Sequence, residues 1–424
     1  MKYTKKTTLK NGLRIVFVPQ PSNLAATVLI LVRAGSEYEA KRENGVSHFL
    51  EHMTFKGTAD RPEPGMISHE LTALGARFNA FTGEEYTGYY AKAQAAKLPK
   101  ILEIMSDLYL HPLFNEKEIE RERGVIIQEI NMYEDDLPAR AQQMFTALVY
   151  GDQPAGWDVA GEKPIIRRLS RRDFVAYRDA RYVMPGTVII IAGKFNEKAA
   201  LAQIKEYFAA LPRRRAPAKK KTVERQSAAR VTLQFKETDQ AHLVLGFRAF
   251  DMFDERRYAL RVAADLLGGG MSSRLFTRIR ERMGAGYYVW ASADLSLDHG
   301  LFSVSAGVDR KRTEEVVRAI LEECRALRDG VVPEAELQRT KDHMIGGLVL
   351  GLETSDDLAS FYGGQEVLGG RTLSPDELTD RIRKVTAEDV RRAAAAIMKD
   401  DRLNLAIVGP YKNKAQFKKI LTIN

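Results

Sequence analysis

The chain repeats itself, and that repeat limits what it can fold into more than any single residue does. In the first half, Gly75-Ala76-Arg77-Phe78-Asn79-Ala80 opens a predicted strand, Tyr86 to Ala93 reads as its partner, and a helical stretch follows from Ala96 to Leu110. In the second half, Gly284-Ala285-Gly286-Tyr287-Tyr288-Val289 opens a strand, Gly300 to Ala306 pairs with it, and Arg312 to Leu327 continues as a helix. Each half also begins with strand-like patterning, Leu13 to Val18 and Ala26 to Val32 in one, Val231 to Phe235 and His242 to Phe247 in the other. Further helices are expected over Glu116 to Tyr133, Ala139 to Val149, Lys198 to Ala210, Pro333 to Leu352 and Ala387 to Met398, and late strands over Thr187 to Ala192 and Leu403 to Val408. The pattern predicts an α+β fold of two homologous domains, each a largely antiparallel sheet packed with long helices.

A basic run marks the junction. The formal net charge is +9. Arg213, Arg214, Arg215, Lys219, Lys220 and Lys221 lie in one acid-free, Pro/Ala-containing stretch that reads as a solvated linker. This gives domains 1–212 and 227–424 about a linker at 213–226. Nucleic-acid binding would rest on the linker charge alone and is not expected. At 424 residues and 45% apolar, the chain is long and apolar enough for ample buried core. Its one cysteine, Cys324, excludes an intrachain disulfide and a cysteine zinc cluster, so no mark of an oxidising compartment is present. Met1 to Lys10 contains no apolar stretch, and runs such as Val188 to Ala192 fall far short of the roughly 18 residues a membrane span needs. The expectation is a cytoplasmic protein with no signal peptide and no membrane span.

Residues Asn44 to Lys56 read Asn-Gly-Val-Ser-His-Phe-Leu-Glu-His-Met-Thr-Phe-Lys, a predicted helix starting near Asn44 or Ser47. His48 and His52 are then one turn apart. At 100° per residue, His52 lies about 40° round from His48 and Glu51 about 60° the other way, so one face presents two imidazoles and a carboxylate. This is the His-x-x-Glu-His order of inverted zincins. A random chain of this composition shows that order about once in a hundred, and the plain alternative is a pair of surface or core histidines beside a glutamate.

Catalytic zinc takes a third protein ligand and leaves one position open. The predicted helix from Glu116 offers Glu122 and Glu129, with Glu134 just beyond it. Glu129 is flanked by Ile126, Ile127 and Ile130, and a carboxylate among apolar neighbours needs a partner, so it is the favoured ligand. Glu122 lies on nearly the same stripe but roughly 10 Å along the axis, which suits it to a place behind the ligands. In its charged run it could equally be an ordinary surface acid. His69, His111, His242, His299 and His343 lack ligand spacing. The glycines at Gly268 to Gly270 lack the Gly-Lys-Ser/Thr of a phosphate loop and read as a turn before a helix.

With Glu129 following His52 at this separation, the chain resembles the M16 metallopeptidases, in their short, mitochondrial-processing-peptidase-like branch. The likeness extends through Glu122-Arg123-Gly124-Val125-Ile126-Ile127-Gln128-Glu129-Ile130, Asp135 to Pro138 and Gly75 to Thr82. In the second half it runs from Leu267-Gly268-Gly269-Gly270-Met271-Ser272-Ser273-Arg274-Leu275-Phe276 through Arg280 to Tyr287. It departs at Gly286, where the family usually has Ala.

The resemblance implies two LuxS/metallopeptidase-like halves and one Zn²⁺ per chain held by His48, His52 and Glu129. It further implies Glu51 as general base, Glu122 behind the ligands, and Arg280 and Tyr287 contacting substrate and oxyanion. Asn79, Ala80, Phe81 and Thr82 would form the edge strand that takes the peptide. The implied activity is a zinc endopeptidase on extended, unfolded or presequence-like peptides. The implied assembly is a homodimer, or a heterodimer with a related M16 subunit. The runner-up is a non-catalytic assembly subunit of the same family. Glu84-Glu85 and Glu134-Asp135-Asp136 hint at a taste for basic peptides.

Overall fold

The computed structural model describes residues 4–369 and 371–424; Met1, Lys2 and Tyr3, which open the charged N-terminal stretch, lie outside the described residues. Among the described residues, eleven strands form two sheets. The first contains β1 (Lys5–Thr8), β2 (Arg14–Pro19), β3 (Ala25–Val32), β4 (Arg77–Thr82), β5 (Thr87–Gln94) and β6 (Thr187–Gly193), in the order β1-β2-β6-β3-β5-β4. The second contains β7 (Arg230–Phe235), β8 (Gln240–Ala249), β9 (Gly286–Leu295), β10 (Gly300–Asp309) and β11 (Leu403–Gly409), in the order β7-β11-β8-β10-β9.

The repeat read from the sequence is therefore a repeat of topology. Each sheet has one parallel pair, β2 with β6 and β7 with β11, and is otherwise antiparallel. The central strands β3 and β6 read as continuous apolar runs because both of their faces are covered. By contrast β4, at the end of its sheet, alternates between exposed and half-buried residues.

On one face of the first sheet, Val28, Ile30 and Val32 enter a core with Phe49, Leu50, Ile101, Leu102 and Ile126. That core holds the helices Val46–Thr54, Leu98–Leu110 and Glu116–Asp135 in place. On the other face lies the helix Ser355–Val367, packed on β3 and β6. A Cβ at Gly363 would come 2.8 Å from Leu31 Cδ1 and 3.0 Å from Ile190 Cδ1, so glycine permits the close approach of helix to sheet. Thr27 and Ser355 share a hydrogen bond of 2.8 Å, and Glu366 pairs with Lys6 at 2.9 Å and Arg14 at 3.2 Å.

Packing thus divides the chain discontinuously. One unit takes the residues up to Ile130, Trp157–Lys220 and Val349–Pro375; the other takes Asn131–Gly156, Lys221–Leu348 and the residues from Asp376 onward. Each unit gains one helix from the other half of the sequence. Helix Leu137–Tyr150 lies on β11 and β8, where Phe145, Val149, Val244, Ala406 and Val408 form a small core, and helix Ser355–Val367 lies on the first sheet.

The expectation of a solvated linker is corrected at Lys219. Its ammonium pairs with Glu37 and with Glu85, the latter at 2.7 Å, and all three side chains are more than nine-tenths buried. The N–H groups of Ser36 and Glu37 bond the carbonyls of Gly83 and Glu84, which sets Glu37 and Glu85 side by side. Two buried carboxylates need a cation, and the linker supplies it. Arg214 bonds the Asp179 carbonyl, and Arg181 bonds that of Pro217. The hint that Glu85 selects basic peptides is corrected for the same reason, since its carboxylate is already paired. Replacing Lys219 with Met removes the ammonium that both acids share and is expected to cost several kcal/mol, up to about 3–5 kcal/mol, read from the urea midpoint. A loss below about 1 kcal/mol would return this residue to the solvated class.

Candidate metal centre

Helix Val46–Thr54 buries Val46, Phe49, Leu50 and Met53, which leaves His48, Glu51 and His52 together on its less buried side. It opens at Gly45, whose φ of 91° lies in the left-handed region and whose Cβ would sit 2.8 Å from the Ala160 carbonyl oxygen. The start is thus Gly45, one residue after the first of the two expected candidates. Asn44 instead turns its amide to Glu39 and to the Asp158 carbonyl, each at 3.1 Å.

The first part of helix Glu116–Asp135 packs beside it and carries Glu122 and Glu129. Glu129 Oε2 lies 3.7 Å from His48 Nε2 and 3.6 Å from His52 Nε2, and the three donor atoms fall within 4.8 Å of one another. Tetrahedral zinc with bonds near 2.0–2.1 Å sets neighbouring donors about 3.3–3.4 Å apart, so the two distances from Glu129 to the imidazoles fit such an ion within a few tenths of an ångström. Glu122 Oε2 accepts from His52 Nδ1 at 3.2 Å, a bond that favours the tautomer protonated there and leaves the Nε2 lone pair available to a metal ion. The other Glu122 oxygen pairs with Lys56 Nζ at 2.5 Å.

The electrostatics suit the same set. Burial and the neighbouring His52 push His48 down to about 3, so its imidazole is neutral near pH 7; its Nδ1 is buried and unpartnered. Burial also lowers His52, but the hydrogen bond to Glu122 and the charges of Glu51, Glu129 and Glu122 outweigh it and leave His52 raised. Burial raises Glu51 above the usual carboxylate range, against the opposing pull of His52 and of a 3.1 Å hydrogen bond from Thr82 Oγ1.

Thr82 belongs to β4, which among the described residues has β5 as its one neighbour in the sheet. Ala80 and Thr82 share the face turned to Glu51, while Asn79 and Phe81 share the opposite one. Arg280 and Tyr287 lie in the other unit. Arg280, in the π-helix Phe276–Arg282, donates to the Tyr287 carbonyl and lies 5.4 Å from the centre of the Phe276 ring. The Tyr287 side chain is exposed on β9. Glu134 lies past Ile130, in the part of its helix assigned to the other unit. Of the acidic stretch there, Asp136 caps helix Leu137–Tyr150.

Two groups escaped the sequence reading. Lys56 sits one turn after His52, a spacing that signals its place on the same face; Glu39 carries no local signature. Among the described residues, no helix is long and apolar enough to cross a membrane.

A family model described as insulinase (peptidase family M16) matches residues 14–163, and one described as the peptidase M16 inactive domain matches residues 168–344. A Streptomyces coelicolor protein named as an uncharacterized zinc protease is 34% identical over 97% of this chain and 90% of its own length. The fold matches the crystal structure of a protease from Helicobacter pylori with a TM-score of 0.88 at 23% identity, covering 96% of this chain and 99% of that one. It also matches a chain of complex III from Candida albicans with a TM-score of 0.83 at 17% identity, covering 98% and 99%. Two family models in sequence, and a relative so similar over nearly the whole length, make this chain a member of peptidase family M16.

Proposed function

We propose that this chain is a zinc-dependent endopeptidase, with one Zn²⁺ held by His48, His52 and Glu129 and with Glu51 as general base. The observation that carries the reading is the meeting of three donors from two separate helices beside a carboxylate that is not needed as a ligand. When bound, zinc would polarise the scissile carbonyl and make water acidic enough to attack near neutral pH. Glu51 takes the proton from the attacking water and passes it to the leaving amine. Its burial suits that exchange, because a carboxylate raised by burial holds a proton more readily before passing it on. Glu122 keeps His52 in the donor tautomer.

The free edge of β4 at Asn79 to Thr82 supplies main-chain hydrogen bonds to an extended peptide, which selects for unfolded substrates whatever their side chains. Arg280 and Tyr287 supply contacts to substrate and to the developing oxyanion. The same reading makes the active particle a homodimer, so light scattering should return twice the mass of a single chain; a monomer that is fully active would oppose it.

A quenched, unstructured peptide tests the chemistry. Turnover should vanish on chelation and return with zinc. Glu51→Gln should lower kcat by at least about 10²-fold while the metal content stays at one per chain. Cleavage that survives chelation defeats the reading, and zinc bound by the native chain without any turnover favours a non-catalytic assembly subunit.

The pH profile has a defined direction. Glu51 must be ionised to act and is raised by burial, so kcat should fall as pH drops through a value above the ordinary carboxylate range. Thr82→Val removes a hydrogen bond that favours the ionised form, so the acid limb should move to higher pH. A limb that moves to lower pH would contradict this role for Thr82.

A further inference from the structure

We propose that Glu39 is a positioning residue for the metal centre, acting through the first turn of helix Val46–Thr54 to fix His48, Glu51 and His52 on their common face. The inference rests on the zinc-peptidase reading. Glu39 follows the short turn Ser36–Tyr38, and its side chain is buried and outside the ligand set. Each of its oxygens takes two donors. Oε2 accepts from Gly45 N–H at 2.7 Å and from Asn44 Nδ2 at 3.1 Å; Oε1 accepts from Ser47 N–H at 2.9 Å and from the Ser47 hydroxyl.

A helix start leaves its first N–H groups without partners, and those partners normally come from an N-cap side chain. Here the cap position is a glycine that has none. One remote carboxylate does that work, and when ionised its charge lies at the positive end of the helix dipole. His48 is the residue after Ser47, so both hydrogen bonds to Ser47 fix the backbone from which the first imidazole projects. Burial is the largest influence on Glu39 and raises it to about 7, in spite of these donors. The chain therefore keeps a costly buried acid where an apolar residue would pack.

The test uses Co²⁺ in place of zinc, since its visible absorption reports ligand geometry without turnover. Native protein, Glu39→Gln, Glu39→Asp and Ser47→Ala are compared for Co²⁺ affinity, spectrum, kcat and KM. Glu39→Gln should bind Co²⁺ about tenfold more weakly, with an altered spectrum and a kcat lowered by a similar factor. KM should stay within about twofold, because β4 is untouched. Glu39→Asp should recover part of the loss, and Ser47→Ala, which removes one of the four bonds, should show a smaller effect of the same sign. Should Glu39→Gln fail to fold, the other two variants decide. A native spectrum and affinity in every folded variant overturns the proposal, as does an effect confined to thermal stability. If the native chain itself gives no tetrahedral Co²⁺ spectrum, it is the zinc-peptidase reading that falls.

Discussion

Three donor atoms on two helices, far apart in sequence, must converge to within 4.8 Å, and most of the first unit can be understood as the apparatus that enforces this. Neither helix could do so alone. Val46–Thr54 is only nine residues long, too short to be stable in isolation, and owes its form to the burial of Phe49, Leu50 and Met53 against the sheet core. Glu116–Asp135 is anchored by Ile119, Ile126 and Ile130 in the same core. The imidazoles and the carboxylate are what remains on the sides turned away from that packing.

The constraint reaches into the polar groups as well. Glu122 is buried, and burial alone would raise it; its bonds to His52 and Lys56 and their charges more than reverse this and hold it ionised. Thr82 ties the edge strand to Glu51, while Lys219 ties the turn just beyond that strand to the segment before the metal helix. Strand, base and ligands therefore share one connected network, and a disturbance in the basic segment 213–221 is expected to reach the base through Glu85 and β4.

Much of this was legible in the sequence where the signal was local. Strand alternation and the repeated turn glycines marked both sheets, and the one-turn spacing of His48 and His52 fixed their common face. Glu129 stood out as an acid among isoleucines. What escaped depends on contacts between distant segments. Helix Ser355–Val367 carries Asp356, Asp357 and a Gly-Gly pair, and its buried residues make sense only against β3 and β6, which belong to the opposite half of the sequence. Lys219 looked like any other member of a charge run, because a run does not reveal that two carboxylates will be buried opposite it. Glu39 shows no motif, since a cap supplied from eight residues away follows no helical period.

The duplication itself hides the exchange of helices. Two similar halves invite a single cut at the basic segment, yet each sheet is completed by a helix from the other half. Neither half of the sequence contains all the packing its own sheet uses.

Anomalous X-ray scattering at the zinc edge, from crystals of protein purified with zinc, probes the metal centre most directly. One peak per chain, within bonding distance of His48 Nε2, His52 Nε2 and Glu129 Oε2, is the expected result. A peak held by other side chains, or none while those three atoms bond one another directly, would contradict it.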